Sequence, residues 1–464
     1  MRFMPMVMLA PLILAACAQI PVAYEATTRL PVYERRQAHR QLIVTIREAE
    51  VSLSASPGSS PRTYENSARY QPSPYARRIA DEIAHDYDLT WLAEWRIDVL
   101  GVHCVVFTAP DREARERALQ RLRNDRRVES VQPMHEFRTA SRGSAPAAAV
   151  QVAKSMARSE AYNDPYFALQ RQVESIRVPE AQRWAKGRGV RVAVIDTGVD
   201  LHHPELAGRV SMARNFVDDD DKTFSRDAHG TAVVGLIAAA VNNGLGIIGV
   251  APSIELLVLK ACWHPSPNEA AVCNTLTLAE ALASAIENKA AVINLSLGGP
   301  DDSLLRRLVE AAIRRGVIVV GADAGPASAG RSFPLAVEGV LAVADGDVAP
   351  ALKPHARIAA PGHEVLTLAP LGRYDYFSGA SLSSAMVSGI VALLLEHRRG
   401  ISPKEMATLL ERTAFPLAAA SAPATSAGSL RVVDACRAVA AVMQSASCVD
   451  RAPRVAGVRS KESM

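Results

Sequence analysis

Three short polar blocks punctuate apolar stretches of this chain: Asp196-Thr197-Gly198, His229-Gly230-Thr231 and Gly379-Ala380-Ser381. Aspartate, histidine and serine are the parts of nucleophilic acyl transfer. The serine hydroxyl attacks, the imidazole takes and returns its proton, and the carboxylate holds one tautomer and stabilises the imidazolium. Each residue also has a plainer use, since aspartate caps turns and serine is a preferred helix cap. Their surroundings point to chemistry. Asp196 follows the apolar run 190–195, and the carboxyl end of a buried parallel strand is where such a sheet presents its functional groups. His229 opens an alanine-rich helix, where a buried imidazolium needs a compensating carboxylate. Ser381 opens a run of small apolar residues, so its hydroxyl meets the positive end of a helix and N–H groups able to hold an oxyanion.

The elements that must position these residues follow from periodicity. From residue 163 onward, strand-like runs at 190–195, 254–259, 292–297, 317–320 and 340–343 alternate with helical runs at 229–241, 276–288, 302–315, 381–396 and 403–413. Strands apolar on both faces alternating with helices predict an α/β domain, a parallel sheet flanked by helices, over 163–445. Residues 39–138 read differently. A strand at 41–47 precedes a helix that starts at Ser73-Pro74 and puts Tyr75, Ile79, Ile83 and Tyr87 on one face. Trp91, Ala93, Trp95 and Ile97 alternate as a strand, 101–107 is a more buried one, Ala114, Ala118, Leu119 and Leu122 mark a second helix, and 128–132 returns as a strand. That order, β-α-β-β-α-β, predicts a small α+β, ferredoxin-like domain. Residues 139–162 lack apolar period and read as an exposed linker, and 446–464 as a polar tail.

The blocks Asp196-Thr197-Gly198-Val199-Asp200, His229 to Gly235 and Ser378 to Gly389, in that order, resemble the three active-site blocks of the subtilisin-like serine peptidases. Gly249-Val250-Ala251-Pro252, Ile293 to Gly299 and Ala360-Pro361-Gly362 extend the likeness over about 163–442. It implies a serine endopeptidase with Asp196, His229 and Ser381 as its triad, a peptide or protein substrate, and no catalytic cofactor. It implies that Leu295-Ser296-Leu297-Gly298 pairs with an extended peptide as an added strand. By the same likeness, 39–138 is an inhibitory propeptide. Two departures stand out. Ala380 and Ala385 replace the family's usual threonine and proline beside the serine, which are packing changes. More serious, Asp323 stands where the family places an asparagine that donates to the oxyanion. An ionised carboxylate cannot donate, and losing one such donor costs about 2.7–4 kcal/mol. The expectation is slow turnover, or activity confined to conditions that protonate Asp323. A catalytically weak peptide-binding lipoprotein and a maturation enzyme for one partner remain the alternatives.

The 464 residues, 49% hydrophobic and 22% charged with net charge +4, describe an ordinary globular chain of two or three domains and do not point to nucleic acid. The N-terminus does carry a signal. Arg2, an apolar run over 3–16 and Leu14-Ala15-Ala16-Cys17 resemble a bacterial lipoprotein signal, 1–16, with lipid on Cys17, a tether over 17–38 and an envelope location, outer membrane by Ala18. Export permits disulfides. Short, similar separations pair Cys262 with Cys273 and Cys436 with Cys448, leaving Cys104 as a buried thiol. Gly244 to Gly249 satisfies G-x-G-x-x-G but follows a helix and leads into a strand, the reverse of a dinucleotide site. With Asn242-Asn243 it resembles the family's structural calcium loop, Asn243 and Glu205 supplying oxygens; a metal-free turn is the other reading. The acidic run 218–221 reads as a solvated loop, and His202, His203 and His264 as structural or exposed.

Overall fold

A computed structural model describes residues 22–24, 37–47, 74–140, 162–218, 220–266, 269–325, 332–347, 356–417, 430–444 and 447–448. Cys17 and most of the 139–162 linker lie outside the described residues.

The apolar runs between 190 and 345 form one parallel sheet. In spatial order its strands are Val22–Tyr24, Val210–Asn215, Glu255–Lys260, Arg191–Asp196, Val292–Leu295, Ile318–Asp323, Leu341–Asp345, Ile358–Ala360, Arg431–Val432 and the antiparallel Phe415–Pro416. Arg191–Asp196 is internal, flanked by Glu255–Lys260 and Val292–Leu295, so its carboxyl end is walled on both sides. Helices Ala228–Ala238 and Ala380–His397 pack on one face of this sheet with Val192, Val194, Ile318 and Val320. Helices Thr275–Glu287 and Ser303–Arg314 pack on the other with Ala193, Ile195, Ile293 and Val319. Alternate residues of each strand therefore enter different cores, which is why the strands read as continuous apolar runs. Helix Ala380–His397 is long and apolar enough to cross a membrane, yet it is buried in this core.

The β-α-β-β-α-β order over 41–133 is present as Gln41–Arg47, Pro74–Asp86, Thr90–Ile97, Val102–Thr108, Arg112–Leu122 and Ser130–Pro133, an antiparallel sheet backed by two helices. Its strands also serve two cores. Leu42, Val44, Val105 and Phe107 pack on the unit's own helices. Ile43, Trp95, Cys104 and Val106 face helices Thr275–Glu287 and Ser303–Arg314 of the larger unit. Polar contacts close the seam. Gln132 donates to Asp302 (2.7 Å) and accepts from the Leu304 N–H (3.0 Å), and Arg307 grips Glu129 with two hydrogen bonds of 3.0 and 2.9 Å. Gln132 and Asp302 thus satisfy first-turn N–H groups of helix Ser303–Arg314, which have no partner within the helix.

Several expectations need correction. Tyr75 and Trp91 are exposed at 43% and 37%; Ala76 and Ala80 share the helix's buried face with Ile79 and Ile83, and a bulge between Trp91 and Ala93 breaks the alternation. The linker does not begin at 139, because Glu136–Thr139 is a strand. The tether is not wholly irregular, because Val22–Tyr24 pairs in parallel with Ala213–Asn215. Of the acidic run, Asp220 caps the short helix Asp221–Arg226. Both disulfides form as paired, and Cys104 is a free buried thiol whose pKa burial drives upward.

Because Ile43 is buried at the seam, Ile43→Ala should lower stability to urea by about 2–4 kcal/mol. Exposed Arg47→Ala at the end of the same strand should stay within about 0.5 kcal/mol.

Candidate active site

Asp196 ends its strand with 1% of its surface exposed. One oxygen, Oδ1, receives the Thr197 N–H at 2.7 Å and His229 Nδ1 at 2.6 Å. His229 lies in the first turn of helix Ala228–Ala238. Burial works to depress its pKa, but the charge and hydrogen bond of Asp196, with Asp227 further off, raise it above the ordinary imidazole value. The block residues around the pair explain themselves. The Gly230 N–H donates to Thr197 Oγ1 at 2.9 Å, and a Cβ on Gly230 would lie 2.5 Å from the Gly198 carbonyl. A Cβ on Gly198 would lie 2.1 Å from the Phe224 carbonyl. Thr231 Oγ1 accepts from the Asp200 N–H at 3.0 Å and donates to the Asp227 carbonyl at 2.6 Å. Glycines allow two loops to touch, and threonines stitch them together.

A further member escaped the sequence reading. Asp227 Oδ2 accepts from the Gly198 N–H at 2.8 Å and from buried Lys260 Nζ at 2.6 Å. Lys260 sits beside Asp196 in the sheet register, so this ion pair clamps the histidine helix to the aspartate loop. A lysine ending an apolar strand was its signal.

Ser381 is fully buried in the first turn of helix Ala380–His397. Gly379 before it adopts φ 149°, ψ 159°, a region essentially restricted to glycine. Ser381 Oγ, His229 Nε2 and Asp196 Oδ2 are buried polar atoms with no hydrogen-bond partner among the described residues. Buried polar atoms are nearly always paired, and an unpaired nucleophile and base are what a catalytic pair presents before substrate tightens its geometry.

Leu295-Ser296-Leu297-Gly298 divides. Leu295 is a core residue of the parallel sheet, paired with Ile195 and Gly321, and takes no part in an edge. Leu297 and Gly298 form a separate edge, antiparallel to Thr139 and Arg138, and the Ser296 carbonyl accepts the Ala140 N–H at 2.9 Å. On its other side the Glu136–Thr139 strand pairs with Val272–Asn274. The strand that fills this cleft is therefore the chain's own. Ser296 Oγ meets the Ser381 carbonyl at 3.4 Å and Ser384 Oγ at 3.1 Å, which sets the cleft against the serine helix.

Asp323 is buried at the end of Ile318–Asp323. Its oxygens accept the Gly325 N–H and the Ala356 N–H, each at 2.9 Å. Backbone donors thus address both oxygens, the pattern of an acceptor.

Glu205 and Asn243 do come together, but not as cation ligands. Asn243 donates its amide to Glu205 Oε2 at 2.9 Å while its own Oδ1 accepts the Leu245 N–H at 2.9 Å. Glu205 Oε1 accepts from the Ile247 N–H at 2.9 Å and the Tyr374 hydroxyl at 3.0 Å. Both Glu205 oxygens and the Asn243 Oδ1 thus accept protein donors, and burial raises the Glu205 pKa. Among the described residues no group of three or more His, Cys, Asp or Glu side chains that could hold a metal ion is assembled.

A sequence profile for the subtilase family, peptidase S8, matches residues 187–436, more than half of the chain. Thermitase of Thermoactinomyces vulgaris is 33% identical over 249 residues, which cover 52% of this chain and 87% of that protein. The major intracellular serine protease of Bacillus subtilis (strain 168) is 34% identical over 282 residues, 55% of this chain and 86% of the relative. Among solved structures, fervidolysin from Fervidobacterium pennivorans, described as a keratinolytic enzyme related to subtilisin, superposes with a TM-score of 0.64 at 20% identity. That match covers 91% of this chain and 64% of fervidolysin, a likeness of fold.

The raised His229 pKa has a definite sign: imidazole is a base only when neutral, so labelling of Ser381 by a fluorophosphonate should rise with pH through a midpoint above the ordinary histidine value. Asp196→Asn should lower the labelling rate by about ten-thousand-fold and remove the upward displacement of the midpoint.

Proposed function

Since this chain belongs to the subtilase family and is a serine-type endopeptidase, we propose that Ser381, His229 and Asp196 carry its catalysis. Ser381 Oγ adds to the peptide carbonyl as His229 Nε2 takes its proton. His229 then protonates the leaving amine, and water releases the acyl group by the same exchange. Asp196 holds Nδ1–H and balances the imidazolium. The observation that carries this reading is the 2.6 Å Asp196–His229 hydrogen bond with Nε2 and the serine Oγ left unpaired.

The oxyanion would form beside Ser381, whose N–H lies in a helix turn without intrahelical acceptors. Asp323 is the other member of that site by position. Its two oxygens already accept backbone N–H groups, so it offers the oxyanion acceptors where a donor is wanted, which supports slow turnover. Asp323→Asn should raise kcat/KM at neutral pH by about 10²–10³-fold; an unchanged rate would remove Asp323 from the oxyanion site.

Residues 39–138, continuing through Ala140, act as an intramolecular inhibitor. The strand Glu136–Thr139 between Val272–Asn274 and Leu297–Gly298 supports this, because a substrate would need the same main-chain partners. Self-cleavage is assigned after Ala140, whose N–H is hydrogen-bonded to the Ser296 carbonyl beside the serine helix. Together with a lipid on Cys17, this makes the protein an envelope lipoprotein, outer-membrane by its residue after the cysteine, whose catalytic part separates covalently from the anchor. The wild-type protein should appear as two fragments, the larger beginning at Ser141, and Ser381→Ala should stay whole. Fractionation should find the N-terminal fragment with membranes, and Cys17→Ser should move it to the soluble fraction.

A further inference from the structure

A carboxylate and an ammonium beside the triad take no part in the proton transfers above, and both are buried. Asp227 is the N-cap of the helix that carries His229, yet its side chain caps none of that helix's N–H groups. An aspartate in that position ordinarily does. Its Oδ2 is turned instead to the Gly198 N–H at 2.8 Å and to Lys260 Nζ at 2.6 Å. Lys260 is 2% exposed and stands beside Asp196 in the strand register. An unpaired ammonium there would act on the Asp196 carboxylate through an interior that screens poorly, and would weaken its hold on the imidazolium. An unpaired Asp227, two residues before His229, would do the opposite. The charges that act on His229 are those of Asp196, by contact, and of Asp227, through space. From a third element His264 faces the pair, its Nε2 4.0 Å from Asp227 Oδ1 and its Nδ1 at 2.9 Å from the Glu269 carbonyl.

We propose that Lys260 and Asp227 are positioning residues for His229: paired, they hold its helix against the Asp196 loop and cancel each other's charge, so that Asp196 governs how readily His229 accepts the serine proton. This inference rests on the triad reading above. Burial disfavours the imidazolium, the charge and hydrogen bond of Asp196 favour it, and the Asp227 charge is the weakest of these influences. A carboxylate already offset by an ammonium behaves in that way. Removing either partner leaves the other buried without its counter-charge.

The test is the pH dependence of Ser381 labelling by a fluorophosphonate in the purified protein. Lys260→Met leaves an anion near His229 and should move the labelling midpoint upward by about one pH unit. Asp227→Asn leaves a cation beside Asp196 and should move it downward by about as much. The double variant, and Lys260→Arg, which keeps the cation, should return to the wild-type midpoint. Should Lys260→Met not fold, Lys260→Gln removes the charge, keeps a donor and carries the same sign. A midpoint does not depend on how much of a variant is folded, and a contact that is structural alone would lower the amplitude of both single variants without moving their midpoints in opposite directions. His264→Gln should leave the curve in place; a displaced curve would assign the titration to His264 and overturn the proposal. Any pattern in the single variants other than opposite shifts overturns it as well and leaves the triad standing, as does a double variant displaced as far as either single one. If wild-type Ser381 is not labelled at any pH, the triad reading fails and takes this inference with it.

Discussion

The 2.6 Å hydrogen bond between Asp196 and His229 is the constraint on which the surrounding structure turns. A carboxylate at the closed end of an internal strand is costly unless donors address it, and an imidazole in a buried helix turn is costly as a cation unless a carboxylate faces it. Each group solves the other's problem only if two loops approach to within contact. Gly198 and Gly230 permit that approach, Thr197 and Thr231 bond across it, and Lys260 with Asp227 fastens it from beneath. Without that frame, a helix start and a strand end would hold the pair loosely, and positional error of about 1 Å is expensive in catalysis.

The small N-terminal unit follows from a different economy. Its four-stranded sheet is apolar on both faces, but its own two helices cover only one. The other face is buried on the helices Thr275–Glu287 and Ser303–Arg314. Gln132 in the last strand of that sheet and His135 just after it reach Asp302 at the start of the second helix. Once the chain has been led along those helix starts, Glu136–Thr139 enters the cleft already aligned. A strand tethered in this way arrives at the cleft at high effective concentration.

Much of this was legible in the sequence. The alternation of apolar strands and helices is dictated by backbone hydrogen bonding and burial, and it placed Asp196, His229 and Ser381 at strand and helix ends correctly. Both disulfides join the cysteines that short, similar separations had paired. Less legible were features made by partners far apart in the chain. Glu136–Thr139 is too short to show a period, and only its neighbours Val272–Asn274 and Leu297–Gly298 make it a strand. Tyr75 carried a helical period and is exposed regardless. Asn243 and Glu205 had the composition of cation ligands, yet the Tyr374 hydroxyl and the Asn243 amide use the oxygens.

Residue types and their order therefore determined the family, the α/β architecture and the three candidate catalytic residues, because those depend on local periodicity and on chemistry that few side chains can perform. Which donors face Asp323, what fills the space around Glu205, and which segment lies in the cleft were decided by tertiary structure. Hydrogen-bond saturation and close packing are properties of atoms brought together from distant parts of the chain, and no local pattern encodes which of them will arrive first at a given lone pair.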